Sequence, residues 1–184
     1  MAAGSASRFG ANKLAAEWDG KRLIRRALEA VPADRLAAVT VVTQYDDAAA
    51  QAAELGFSCL RNEHPEWGVS HTIRLGTRAL APSCGAILFL VADQPLLRRE
   101  TVAALVDFYR AEPASIAALS HGGRRGNPCI FPAAFFPELL ALAGDTGGSA
   151  VIRRHPERLR LLEAEERELL DVDTPEALEA LRRA

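Results

Sequence analysis

Three groups of residues carry chemistry by type and spacing. The first is the opening, Met1-Ala2-Ala3-Gly4-Ser5-Ala6-Ser7-Arg8-Phe9-Gly10-Ala11-Asn12-Lys13. Gly4 and Gly10 let backbone approach an anion closely, and the small residues between them leave amide N–H groups open to phosphate oxygens. Arg8 offers a planar fork for two phosphate oxygens, and Lys13 a mobile point charge. The pair suits a triphosphate. The spacing matches neither a Walker A loop nor a dinucleotide fingerprint, and the composition also reads as a solvated N-terminal segment.

The second group is Asp93-Gln94-Pro95, which follows the apolar run 86–92. A carboxylate at such a strand end is placed to hold Mg2+ against phosphates, because magnesium takes one or two carboxylates plus phosphate oxygens. A turn-forming aspartate before proline is the other reading. The third group is Asp171-Val172-Asp173, ahead of the last helix. In an extended segment both carboxylates point the same way. Helix capping and dipole contact explain the acids as well, but Thr174 can cap by itself, which leaves Asp173 free.

The elements that must position these residues alternate. Leu23, Ile24, Ala27, Leu28 and Val31 share one helical face, ended by Pro32. Residues 39–43 form a β-branched strand, 46–55 an Ala-rich helix closed by Gly56, and 57–60 a strand. Ser70 can cap a helix running to about Leu80. Residues 86–92 are continuously apolar, so both faces of that strand should be covered. Val102, Leu105, Val106 and Tyr109 mark another helix. Strands at 116–119, 129–131 and 159–162, a helix after Pro132 and a last helix from Pro175 follow, with Thr174 as its cap. Alternation of this kind predicts an α/β fold, a mostly parallel sheet covered by helices. Ligands then bind beyond the carboxyl ends of the strands.

With 184 residues, one domain over 1–184 is expected. A net charge of −2 argues against non-specific nucleic-acid binding. The run 86–92 is far short of the ~20 residues of a membrane span. No basic-then-apolar leader opens the chain, and three scattered cysteines fit a reducing cytoplasm. Cytoplasmic localisation, with no nucleic-acid or membrane partner, is the expectation.

Taken together, the blocks resemble the MobA-like nucleotidyltransferases. Ala2-Ala3-Gly4 with Arg8-Phe9-Gly10 and Lys13 is similar to their Leu-Ala-Ala-Gly signature. Gly68-Val69-Ser70 with Ile73-Arg74 resembles their second nucleotide-side loop, and 90–95 their metal-binding strand end. Gly126-Asn127-Pro128, Gly144-Asp145-x-Gly147 and Asp171-x-Asp173-Thr174-Pro175 follow in family order. Within the family the resemblance is to molybdenum cofactor cytidylyltransferases.

The resemblance implies a single-domain, Rossmann-like nucleotidyltransferase fold of the nucleotide-diphospho-sugar transferase type. It implies Mg2+-dependent transfer of CMP from CTP to a phosphorylated, molybdopterin-type acceptor, with a molybdenum hydroxylase as possible recipient. Ala2-Ala3, where guanylyl-transferring relatives carry Gly-Gly, implies cytosine. Ala2, Ala3, Gly4, Ser5, Arg8, Gly10, Lys13, Gly68 and Ser70 would hold the nucleotide. Arg8, Lys13 and Asp93 would be catalytic, and Asp93 and Asp173 would hold the metal. Asn127, Asp145 and Asp171 would face the acceptor. The family also has a strand before Ala2, which predicts a truncated first strand and a natural start roughly 5–10 residues upstream.

Among weaker candidates, Arg124 and Arg125 read as acceptor contacts or as surface charge. His71 and Arg74 read as nucleotide contacts or as neither. His64, His121 and His155 lack metal spacing, Trp18 and Trp67 read as packing residues, and the acidic run 163–168 reads as a solvated face.

Overall fold

A computed structural model describes residues 1–2 and 13–183. A hairpin of β1 (Glu17–Trp18) and β2 (Lys21–Arg22) leads into α1 (Leu23–Glu29). Its turn, Asp19-Gly20, has φ of 50° and 72°. Positive φ at both turn positions matches the twist of a tight hairpin. Then follow β3 (Thr40–Thr43), α2 (Asp46–Glu54), β4 (Ser58–Arg61), α3 (Val69–Leu80) and β5 (Ala86–Phe89). After these come α4 (Arg99–Ala111), β6 (Ile116–His121), β7 (Arg124–Pro132), α5 (Phe136–Leu140), α6 (Ser149–Arg154), β8 (Leu159–Glu163) and α7 (Pro175–Arg183).

The α/β class stands. β3 pairs with β4 in parallel, and β6 with β8 in parallel. The larger sheet has the order β5-β7-β6-β8, with β7 antiparallel to both neighbours. The sheet is therefore mixed rather than mostly parallel. A tight connection at Gly122-Gly123, with φ of 54° and 77°, folds β7 back against β6. That return leaves no room for the helical crossover a parallel pair requires.

Successive residues of the central strands enter different cores. Ile87 and Phe89 of β5 pack in one cluster with Ile73, Phe131, Leu139 and Val151. Ala86 and Leu88 pack with Val102, Leu105, Leu119 and Ile130 in another. β6 divides the same way, Ile116 and Ala118 against Ala117 and Leu119. Period-two alternation with both faces apolar is what a helix-covered sheet requires. α3 and α5 cover one face and α4 the other. α1 buries Leu23, Ile24, Ala27 and Leu28, the face read from its spacing.

β5 ends at Phe89 rather than at Ala92. Beyond it the chain's partner is Met1, whose amine donates to the Leu90 carbonyl at 2.6 Å and whose carbonyl accepts from Ala92 N at 3.2 Å. On the other side, Ala2 N donates to Val42 O at 2.9 Å and Ala2 bridges Thr43 in parallel. Met1 and Ala2 thus link β3 to the end of β5. Next to them, between the two strands, lies a cavity of about 170 Å³ lined by Val39, Val41, Ile24, Leu80, Ile87 and Leu88. Among the described residues, no helix is long and apolar enough to cross a membrane.

Candidate active site

Asp93 stands just beyond the Met1-bound end of β5, and two contacts dock the chain's other acidic segment against it. Val172 N donates to the Asp93 carbonyl at 2.8 Å. Gln94 Nε2 donates to Asp171 Oδ1 at 3.0 Å and to Leu169 O at 3.3 Å. Val172 is 1% exposed and packs with Leu23 and Leu178 of α7. Alternation then leaves Asp171 and Asp173 on the exposed side, as the sequence implied. Thr174 Oγ1 caps α7 by accepting from Ala177 N at 3.2 Å, so the cap makes no demand on Asp173.

Lys13 closes the constellation. Its Nζ donates to Asp93 Oδ2 at 2.8 Å and to Asp173 Oδ1 at 2.9 Å. Its neighbour Leu14, 4% exposed, anchors the turn in the cluster of Ile24, Ala27, Val41 and Ala92. Burial by itself would lower the Lys13 pKa, but the bonds and charges of Asp93 and Asp173 outweigh it and hold the pKa above the ordinary value. Asp171 goes the other way. Burial, then repulsion from Asp93, raises its pKa against the opposing bond from Gln94.

The remaining oxygen of Asp93, Oδ1, is buried and, among the described residues, has no hydrogen-bond partner. An orphan carboxylate oxygen beside a second carboxylate fits a hard divalent cation, which prefers oxygen ligands and few protein carboxylates. Among the described residues, no three His, Cys, Asp or Glu side chains form a ready metal cluster. The fit is to a cation that completes its coordination on substrate.

The proposed phosphate loop, Ala3, Gly4, Ser5, Arg8 and Gly10, lies outside the described residues. Gly68 and Ser70 are placed at the start of α3. Gly68, not Ser70, is the N-cap residue, with φ +79°. A Cβ on Gly68 would lie 2.5 Å from the Gly144 carbonyl oxygen, so only glycine fits there. Ser70 falls inside the first turn, fully buried, with its hydroxyl unpartnered. Its amide donates to Gly144 O at 3.3 Å, and Val69 N donates to Asp145 Oδ1 at 3.4 Å. Asp145 therefore meets the amino end of α3, where a carboxylate is favoured, and the 68–70 and 144–145 segments brace each other.

Asn127 lines a pocket with Val69 and Val91, whereas Asp171 is held by Gln94. Trp67 is not a core residue. It is 49% exposed and stacks on His64 at 4.1 Å, with His71 edge-on at 4.9 Å. Burial, then the Arg74 charge, lowers the His71 pKa. Arg74 donates to Leu142 O at 3.3 Å. Trp18 packs under Arg26, 4.1 Å from its guanidinium. Within the acidic run 163–168, Glu168 is 1% exposed and bound by Arg98, so that run is not wholly solvated. Gln94 is the docking residue that the sequence reading did not single out. Its signal was its place directly after Asp93.

Residues 1–159 match the MobA-like NTP transferase domain. The chain belongs to that family. It is 32% identical over 197 residues to purine catabolism protein PucB of Bacillus subtilis (strain 168), covering 100% of this chain and 94% of that protein. Among solved structures it is similar to Rv0371c from Mycobacterium tuberculosis H37Rv, with 23% identity, a TM-score of 0.80 and coverage of 100% and 95% of the two chains. A manganese complex of Rv0371c matches at 20% identity and a TM-score of 0.77 over 97% and 94%. A nucleotidyl transferase from Methanothermobacter thermautotroptrophicus gives 20% identity and a TM-score of 0.82 over 99% and 93%. These structures share the fold. Membership in the NTP-transferase family makes nucleotidyl transfer the activity class of the chain.

Proposed function

We propose that this protein transfers CMP from CTP to a phosphorylated, molybdopterin-type acceptor in the cytoplasm, with Mg2+ as its cation and a molybdenum hydroxylase as the product's recipient. The observation that carries the site is Lys13 held between Asp93 and Asp173 at the end of β5. The choice of CTP and of the acceptor rests on the sequence blocks, above all Ala2-Ala3. The choice of a divalent cation rests on the orphan Asp93 oxygen and on the manganese bound by Rv0371c.

An anionic phosphate oxygen of the acceptor attacks the α-phosphorus of CTP. The new P–O bond forms as the bond to the β-phosphate oxygen breaks, and pyrophosphate leaves with that electron pair. The nucleophile is already ionised, so no general base is required, and catalysis is positioning and charge neutralisation. Lys13 offsets charge on the departing phosphates, a role shared with Arg8. Backbone amides of residues 2–10 and the 68–70 segment orient the nucleotide. Asp93 and Asp173 would hold the cation. When bound, the cation would polarise phosphate oxygens and offset their charge.

Pyrophosphate release tests this reading, with each of four NTPs and with a molybdopterin-type or sugar-phosphate acceptor. The expected result is release with CTP and the molybdopterin-type acceptor only when both are present. Release with a sugar phosphate alone would reassign the acceptor. Tight acceptor binding without turnover would make the protein a carrier.

A further inference from the structure

Next to the end of β5 lies a second, smaller cavity of about 150 Å³. It sits between α3, the length of β7 from Arg125 to Phe131, and residues 147–149. Val69, Val91 and Phe131 make its walls apolar, and Arg125, Asn127 and Ser149 supply its polar lining. Gly148 lies against the Phe131 ring; a Cβ there would come within 2.9 Å of Cζ. A side chain at position 148 would push that ring out of place.

Arg125 is half-buried, and its bonds go to neutral groups. Nη2 donates to Ser149 Oγ at 2.6 Å, and Nη1 to Gly126 O at 3.4 Å and Cys129 Sγ at 3.5 Å. Among the described residues no carboxylate pairs with it, whereas Arg98 and Arg160 each hold a glutamate. A partly desolvated guanidinium without a counter-charge carries a cost that an incoming anion repays. Its neighbour Arg124 is exposed at the hairpin end opposite His121. A cavity of about 150 Å³ is the size that accommodates one six-membered ring.

We infer that this pocket is a subsite for a ring-sized group bearing an anionic oxygen, with Arg125 as its counter-charge. Asn127 and Ser149 add neutral hydrogen bonds around the same group. Val91 lies two residues before Asp93, so a group seated here adjoins the transfer site. Calling it part of the acceptor rests on the proposed reaction; the anion-binding pocket itself does not. Arg125 thereby becomes the specificity residue on the acceptor side, ahead of Asp145, which is engaged with α3, and Asp171, which is engaged with Gln94.

Benzoate, one ring and one carboxylate, is the minimal probe, titrated calorimetrically into the full chain with orthophosphate as the ringless control. Saturable benzoate binding is expected, tighter than orthophosphate binding. Arg125→Gln should weaken it at least about tenfold, the loss expected for one charge-assisted hydrogen bond. Arg124→Gln and the Mg–CTP affinity of Arg125→Gln should stay within about twofold of the wild type. Arg125→Lys, which keeps the charge, should restore part of the benzoate affinity, and serves in place of Arg125→Gln if that variant melts early. Unaltered benzoate affinity in Arg125→Gln, or an equal loss of Mg–CTP affinity, would overturn the subsite. If benzoate binds through Arg125 but no NTP yields pyrophosphate with any acceptor, the transfer reading fails and the pocket stands. If transfer proceeds and benzoate does not compete with the acceptor, the pocket's assignment to the acceptor alone fails.

Discussion

Lys13 and Asp93, separated by 80 positions in the chain, meet at 2.8 Å, and the same ammonium reaches Asp173 at 2.9 Å. One cation thus joins the chain's opening, its central strand end and its last helix. Lys13→Met keeps the apolar stem and removes the charge. Leu14 still anchors the turn, so the variant should fold. Its turnover with CTP should fall about a hundredfold, the scale of losing one transition-state charge contact. Single-turnover kinetics with a thermal melt checks both halves.

Asp171 should be a residue whose charge works against the fold. Burial and the nearby Asp93 raise its pKa. The folded state therefore binds a proton more readily than the unfolded chain, and stability falls as pH rises from the ordinary carboxylate range through the folded pKa. Asp171→Asn keeps an oxygen for Gln94 and removes the charge. In metal-free buffer at pH 7 its melting temperature should rise, and the gain should vanish at low pH. A lower melting temperature at pH 7 would assign Asp171 a stabilising charge.

Gly68 holds the turn into α3 in a conformation other residues avoid. Its φ is +79°, and a Cβ would overlap the Gly144 carbonyl at 2.5 Å. Gly68→Ala should cost about 1–3 kcal/mol and raise KM for the nucleotide, because α3 cannot stay braced on residues 144–145. Denaturant unfolding and KM measurements read the two effects.

In a chain carrying a free amine at Met1, burial lowers the amine's pKa from its ordinary 8.0 to about 6, with the charge of Asp93 acting against the shift. The unfolded chain then binds more protons between pH 6 and 8, so stability rises with pH across that window. The full effect is about 3 kcal/mol, from a shift of two units. Acetylating the amine should flatten the profile. A profile that acetylation leaves unchanged would show that the Met1 amine does not set it.

Much of the scaffold was legible because burial writes periodicity into sequence. The faces of α1 and α4, the Thr174 cap and the shared side of Asp171 and Asp173 all followed from spacing. The β1–β2 hairpin was missed because its strands are exposed and carry no apolar alternation; only Asp19-Gly20 marked it. β7 was read as 129–131 because residues 124–127 carry no apolar signal, yet Arg124 and Arg125 pair with β6 beyond a register shift. Its antiparallel direction is a tertiary choice that composition does not encode. The place of Asp93 just beyond the end of β5 was readable from strand-end logic. For Arg124 and Arg125 the sequence leaves acceptor contact and surface charge open; the pocket lies under Arg125 and not under Arg124.

The central claim is most directly tested by pyrophosphate release from CTP and the molybdopterin-type acceptor, with and without Mg2+, for the wild type and Asp93→Asn. The account predicts release only with acceptor and cation together, and a loss of about a hundredfold or more in Asp93→Asn. Release that ignores the cation, or that survives Asp93→Asn unchanged, would contradict it.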